Sequence, residues 1–156
     1  MAFGVGGICL NTFMFSMSPP ALLLRRLGVV VARSRKSAKA AGSRFERIIA
    51  DYISEVLEDD RVDRMPRRGS DDRGDVMGVR AHGRPVAIEC KDVVRMNLPQ
   101  WVDEAHREAG NGDALVGVVV SKRHGNGDPG SQWVHMELRD FVSLITGQTQ
   151  EGCYGL

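Results

Sequence analysis

Val86-Ala87-Ile88-Glu89-Cys90-Lys91-Asp92 is the stretch on which the reading of the fold turns. In an extended strand successive side chains alternate between faces, so Val86, Ile88 and Cys90 share one face and Glu89 and Lys91 the other. Placing an ionic pair on an otherwise apolar strand is costly unless that face meets water, a metal or a partner. Upstream, Ala81-His82-Gly83-Arg84-Pro85 reads as a hairpin turn. It makes Asp75–Arg80 the preceding strand, with Asp75 at its far end. The register of that hairpin stays open. A two-residue turn pairs Asp75 with Cys90, and a loop one residue longer or shorter brings Asp75 to the Glu89–Lys91 face.

Working outward, Phe45, Ile48, Ile49, Tyr52, Ile53, Val56 and Leu57 recur at helical spacing and predict an amphipathic helix beginning at Ser43. Ser43 with Glu46 fits a capping box. At about 100° per residue Glu46 also falls at the edge of the buried stripe, from where it could reach a metal. Arg61–Met65 is a further, weaker strand. Beyond the central strand, Pro99 opens a helix to about Ala109, with Gln100 in its first turn and Trp101 expected in the core. Gly110-Asn111-Gly112-Asp113 stops it. Ala114–Ser121 is a valine-rich apolar run, as expected of a strand buried on both faces. Gln132–Leu138 alternates as a half-buried strand, Asp140 caps a short helix Phe141–Thr146, and Gly147 ends it. The order is helix, three strands, helix, strand, strand, helix: an α/β fold.

The chain has 156 residues, 42% of them apolar, enough for one domain with a buried core. The net charge of +1 hides an uneven distribution. Residues 1–47 hold eight basic residues and one acid, whereas the rest has 13 basic and 19 acidic residues. A basic arm beside an acidic body suits a nucleic-acid binder, because Lys and Arg release counterions from phosphates. The segment 1–42 reads as a flexible basic extension, 43–147 as the domain and 148–156 as a tail. Residues 1–24 carry no charge, but Asn11, Pro19 and Pro20 interrupt any membrane span. Cys9, Cys90 and Cys153 form no CxxC pair, which argues against a zinc framework and fits a reducing cytoplasm.

Two carboxylates, Asp75 and Glu89, can hold Mg²⁺, a hard ion that prefers oxygen ligands and keeps several waters. Lys91 beside them would orient a water and stabilise a phosphorane by direct charge. The stretch Arg68-Gly69-Ser70-Asp71-Asp72-Arg73-Gly74-Asp75, then Ile88-Glu89-Cys90-Lys91, then Gln100, resembles the PD-(D/E)xK nuclease superfamily. Within it the likeness is to the small Holliday-junction-resolvase-like enzymes of phages and archaea. It covers roughly residues 43–123; no proline precedes Asp75, so the literal "PD" is missing.

The resemblance implies a restriction-endonuclease-like core (α-β-β-β-α-β) with a mixed central sheet, here followed by a C-terminal strand and short helix. It implies Asp75, Glu89, Lys91, Glu46 and Gln100 as catalytic residues, with Asp75, Glu89 and Glu46 on Mg²⁺, or Mn²⁺ in its place. Arg33, Arg35, Lys36, Lys39, Arg44, Arg68 and Ser70 are the expected DNA contacts. The expected activity is endonucleolytic cleavage of DNA by a homodimer at a four-way junction, in the cytoplasm of a bacterial host if the chain is phage-encoded, and away from membranes. Three alternatives stay open: another nuclease on the same core, of restriction or repair type; a DNA-binding module without catalysis; and Asp71 or Asp72 in place of Asp75. The plain structural alternative is that Asp75 and Glu89 form cross-strand ion pairs with Lys91, Arg80 or Arg84 on a wet sheet face.

Overall fold

Ser34 caps the first helix: its hydroxyl accepts a hydrogen bond from the Ser37 backbone N–H at 3.2 Å, satisfying one of the donors a helix start leaves open. The computed structural model describes residues 34–66 and 72–150. Within them helix α1 (Arg35–Leu57) leads to strands β1 (Asp63–Arg64), β2 (Val76–Met77), β3 (Arg80–Ala81) and β4 (Arg84–Lys91). Helix α2 (Leu98–Asn111), strand β5 (Val116–Ser121), strand β6 (Trp133–His135) and helix α3 (Leu138–Thr146) follow. The uncharged segment 1–24, Arg33, Arg68, Ser70, Asp71, Cys9 and Cys153 lie outside the described residues.

The helix expected to start at Ser43 starts eight residues earlier, so residues 35–42 belong to α1 and not to a flexible extension. Arg35, Lys36, Ala38, Lys39, Ala40 and Ala41 are good helix formers, and Ala41 is buried, so packing holds this turn. Ser43 is therefore mid-helix, and the capping box with Glu46 does not exist. Only part of the expected apolar stripe is inside: Phe45 and Ile49 are buried, whereas Ile48, Val56 and Leu57 are exposed.

The strands form one mixed, open sheet in the order β1-β2-β4-β5-β6, with β3 pairing β4 beside β2. The β4–β5 pair is parallel and the others are antiparallel. Every residue of β5 is buried, as its valine run predicts. On one face Phe45 and Ile49 of α1 pack with Ile88, Cys90, Val118 and Val120. On the other face α2 packs Trp101 and Ala105 on Val119, and Ala109 on Ala87 and Ala114. These small side chains let α2 lie close to the sheet. A Cβ on Gly117 would meet the Ala105 carbonyl oxygen at 2.2 Å, so only glycine fits there. This close approach brings α2 within reach of the Glu89–Lys91 face.

The hairpin resolves the question of register. Ala81 pairs with Arg84, leaving a two-residue turn of His82 and Gly83, both at positive φ (51° and 77°), the backbone a tight hairpin prefers. On its own this turn would pair Asp75 with Cys90. The register changes on the way: Val86 donates to the Val79 carbonyl, but Val76 pairs with Ile88. Three steps along one strand thus match two along the other, which is a β-bulge. Gly78 sits in it at φ +87°, and a Cβ there would come within 2.1 Å of the Arg61 carbonyl oxygen. The bulge moves Asp75 to the Glu89 side.

The C-terminal elements are shorter and shifted. The strand expected over Gln132–Leu138 is confined to Trp133–His135. Helix α3 begins at Leu138, with Glu137 as N-cap and Asp140 at the third helical position, so Asp140 completes a capping box and does not itself start the helix. Leu138, the last residue of the expected strand, instead opens α3 and is 77% exposed. Gly147 closes α3 at φ 73°, as expected. No helix among the described residues is long and apolar enough to cross a membrane.

Candidate functional site

Asp75 is fixed at both backbone ends: its N–H donates to the Ile88 carbonyl at 2.7 Å, and its carbonyl accepts from Met65 at 2.7 Å. Its Oδ2 accepts the Cys90 N–H at 2.9 Å. Burial, reinforced by the charges of Glu89 and Glu46, raises the Asp75 carboxyl to about 7, against the opposing Cys90 hydrogen bond. Glu89 is also raised, by burial and then by the charge of Glu108.

Lys91 is held by two carboxylates. Its ammonium donates to Glu89 Oε1 on its own strand and, at 2.6 Å, to Glu104 Oε2 on α2. The hydrogen bonds outweigh the opposing effect of burial, so its pKa is raised and Lys91 is a firm cation. Glu104 in turn accepts from Gln100 Nε2 at 3.1 Å, and Gln100 Oε1 accepts from Asn97 Nδ2 at 2.7 Å. Gln100, expected at the Lys91 region, therefore acts one step removed, through Glu104. Trp101 is in the core, as expected.

Helix α2 supplies two acids that the sequence reading missed, Glu104 and Glu108. They lie one turn apart and flank the buried row of Trp101, Ala105 and Ala109. Carboxylates adjoining a buried helix stripe were the available signal. Burial, with the charges of Asp72 and Asp75, raises Glu108 to about 7. Its Oε2 is buried without a hydrogen-bond partner, and Glu89 lies within hydrogen-bonding reach of both Asp75 and Glu108. Glu89 thus has two further carboxylates, Asp75 and Glu108, near it. Such gathering of like charge is unfavourable unless a proton or a cation, such as the Lys91 ammonium on Glu89, offsets it.

Glu46 is buried on α1, only 4% exposed, and accepts from Arg64 Nε of β1 at 2.7 Å. Its charge is felt at Asp75, but its position is set by the β1 arginine. Arg80 donates to the Gly83 carbonyl, and Arg84 turns to the Ala114 carbonyl and Asp113. Neither is bonded to Asp75 or Glu89, so the expected cross-strand ion pairs do not form; Lys91 pairs with Glu89 within β4. Arg35, Lys36, Lys39 and Arg44 are all exposed along α1, the helix that carries Glu46.

Among the described residues one set of three potential ligands has its atoms within 4.8 Å of one another: His106, Glu137 and Asp140. Each has a structural task. His106 Nε2 bonds Asp140 Oδ2 at 2.8 Å, Asp140 Oδ2 accepts the Glu137 N–H at 3.0 Å, and Glu137 pairs with Arg139 at 2.6 Å. Neither Asp75, Glu89 and Glu46 nor Asp75, Glu89 and Glu108 form a set that tight. The candidate ligands beside Glu89, Asp75 and Glu108, are carboxylates, the chemistry a hard divalent cation prefers, while the Lys91 ammonium also holds Glu89. Comparison with family models, with curated proteins and with solved structures yields no match.

Proposed function

We propose that the protein is a divalent-metal-dependent endonuclease of the PD-(D/E)xK type, acting on DNA and most specifically on four-way junctions. The observation that carries this reading is the bulge at Gly78, which brings Asp75 beside Glu89 on the face where Lys91 stands. Glu108 adds a third carboxylate, and its unpartnered Oε2 fits the need for a cation.

In this reading Asp75 and Glu89 hold Mg²⁺, or Mn²⁺ in its place, with Glu108 beside them. The ion would make a bound water acidic and offset charge on the phosphate. The chain's own contribution is electrostatic. Lys91, a cation fixed by its carboxylates, orients the attacking water and stabilises negative charge as the new P–O bond forms and the ester P–O bond breaks. Arg35, Lys36, Lys39 and Arg44 supply phosphate contacts, which give affinity with little sequence readout. A two-fold dimer would match the symmetry of a four-way junction. A binding-only module has no use for a lysine clamped among carboxylates.

The test is cleavage of a labelled four-way junction in Mg²⁺ and in EDTA, beside a duplex and a single strand of the same sequence. Paired cuts in the junction alone, lost in EDTA, support the reading. Metal-dependent cutting of duplex or single strand keeps the nuclease and removes the junction preference. DNA binding without any cleavage sinks the reading.

A further inference from the structure

Resting on the nuclease reading, we propose that Glu104 is a positioning residue: it keeps Lys91 in place once Glu89 is engaged with a metal ion. Lys91 has two anionic partners from different elements, Glu89 two residues away on β4 and Glu104 on α2 at 2.6 Å. The two are not equivalent. A carboxylate that ligates a divalent cation shares its charge and lone pairs with that ion, and the ion itself repels a neighbouring ammonium. Glu89 alone would then be a poor anchor for Lys91 at the moment when Lys91 is needed.

Glu104 lies outside that conflict. It approaches from α2, and it is itself oriented through Gln100 and then Asn97 next to the helix start, by bonds of 3.1 and 2.7 Å. The chain Asn97–Gln100–Glu104–Lys91 thus runs from the start of α2 to the end of β4. The Glu104 side chain is 24% exposed and is not part of the Trp101–Ala105 packing. Replacing it alters the hold on Lys91 and leaves the α2 core in place.

The experiment compares full-length wild type, Glu104→Gln and Gln100→Ala by two readouts. The first is junction cleavage at varied DNA and Mg²⁺ concentrations. Glu104→Gln is expected to lower kcat by about 10–100-fold, the usual effect of losing an outer partner of a site residue. The KM for DNA, the Mg²⁺ half-saturation and the melting temperature stay as in wild type, and Gln100→Ala shows a weaker version of the same pattern. The second readout needs no turnover: the side-chain ¹⁵N signal of the Lys91 ammonium, visible when hydrogen bonds slow its exchange. It should persist in wild type on adding Mg²⁺ and vanish in Glu104→Gln. Wild-type kcat together with a retained signal in Glu104→Gln overturns the proposal. A drop in melting temperature that accounts for the lower activity also overturns it, by reducing Glu104 to a structural residue. If wild type cleaves no DNA, the nuclease reading fails, while the ammonium signal still decides whether Glu104 anchors Lys91.

Discussion

Val76 pairs with Ile88 although the hairpin that joins their strands closes on Ala81 and Arg84, one residue out of step. That offset brings Asp75 beside Glu89 and not opposite Cys90, and it is absorbed at Gly78. Any side chain at Gly78 must displace the Arg61 carbonyl oxygen, 2.1 Å from where a Cβ would lie, and must adopt φ +87°. Gly78→Val should destabilise the fold by about 2–3 kcal/mol, as strained backbone with a clash does. Deleting Gly78 takes out the extra residue and leaves two steps on each strand between the Val79–Val86 and Val76–Ile88 pairs, so Asp75 stays opposite Glu89. A deletion variant that folds by circular dichroism should therefore keep cleavage. A folded but inactive variant would mean that the bulge does more than set this register.

Lys91 stands among Glu89, Glu104 and, beyond Glu89, Asp75 and Glu108. Lys91→Ala should reduce cleavage by about 10²–10³-fold, the range for removing one group that stabilises transition-state charge. Binding of the junction, read by gel shift in Ca²⁺, should be unchanged. Cleavage near the wild-type rate would remove the proposed role of Lys91.

The basic residues of α1 call for substitution rather than truncation. Residues 35–42 are helical and Ala41 is buried, so cutting the chain at residue 42 would damage α1 together with any DNA-binding surface on it. Replacing Arg35, Lys36, Lys39 and Arg44 by Ala leaves the buried side untouched, since all four are exposed. For each phosphate that is no longer neutralised, the slope of log K against log salt should flatten by about 0.9. Affinity measured between 50 and 200 mM salt, about the range over which such interactions dominate, gives the number of phosphates engaged. An unchanged slope would separate α1 from DNA binding.

Buried carboxylates at the proposed metal site would trade stability for function. Glu108 has an unpartnered buried Oε2 and is raised to about 7 by burial and by the charges of Asp72 and Asp75. Glu108→Gln should stabilise the protein in EDTA by about 1–3 kcal/mol in urea denaturation, since an unsatisfied buried charge is relieved. In Mg²⁺ the order should reverse, with wild type gaining more than the variant. Equal gains in Mg²⁺ would show that Glu108 does not face the ion.

The valine run of β5 and the alternation of β4 are set by burial over successive residues, and both were legible in the sequence. The meeting of Asp75 with Glu89 was not, because it depends on one extra residue in a bulge, and alternation cannot locate a bulge. The start of α1 was misplaced because Arg, Lys, Ser and Ala leave no apolar stripe to read between Arg35 and Lys39; the Ser34 cap and the burial of Ala41 hold it. Glu104 and Glu108 gave only a weak signal, their places beside the α2 apolar row, since nothing in α2 alone tells that Gly117 lets the helix approach β5.

The last prediction concerns the join between α2 and α3. His106 on α2 bonds the fully buried Asp140 on α3 at 2.8 Å. The hydrogen bond to Asp140, against partial burial, raises the imidazole pKa above its ordinary 6.5. A raised folded-state pKa means that the folded protein binds the proton more tightly than the unfolded chain. The resulting stabilisation is fully present below the unfolded value near 6.5 and is lost as pH rises through the folded value. Wild type should therefore melt above His106→Gln at pH 5.5–6, and the gap should narrow as the pH is raised past neutrality, about where imidazole loses its charge. Thermal melts of both proteins across that range measure it directly. A gap constant with pH would mean that His106 packs against Asp140 as a neutral ring, joining α2 to α3 by shape and a single neutral hydrogen bond.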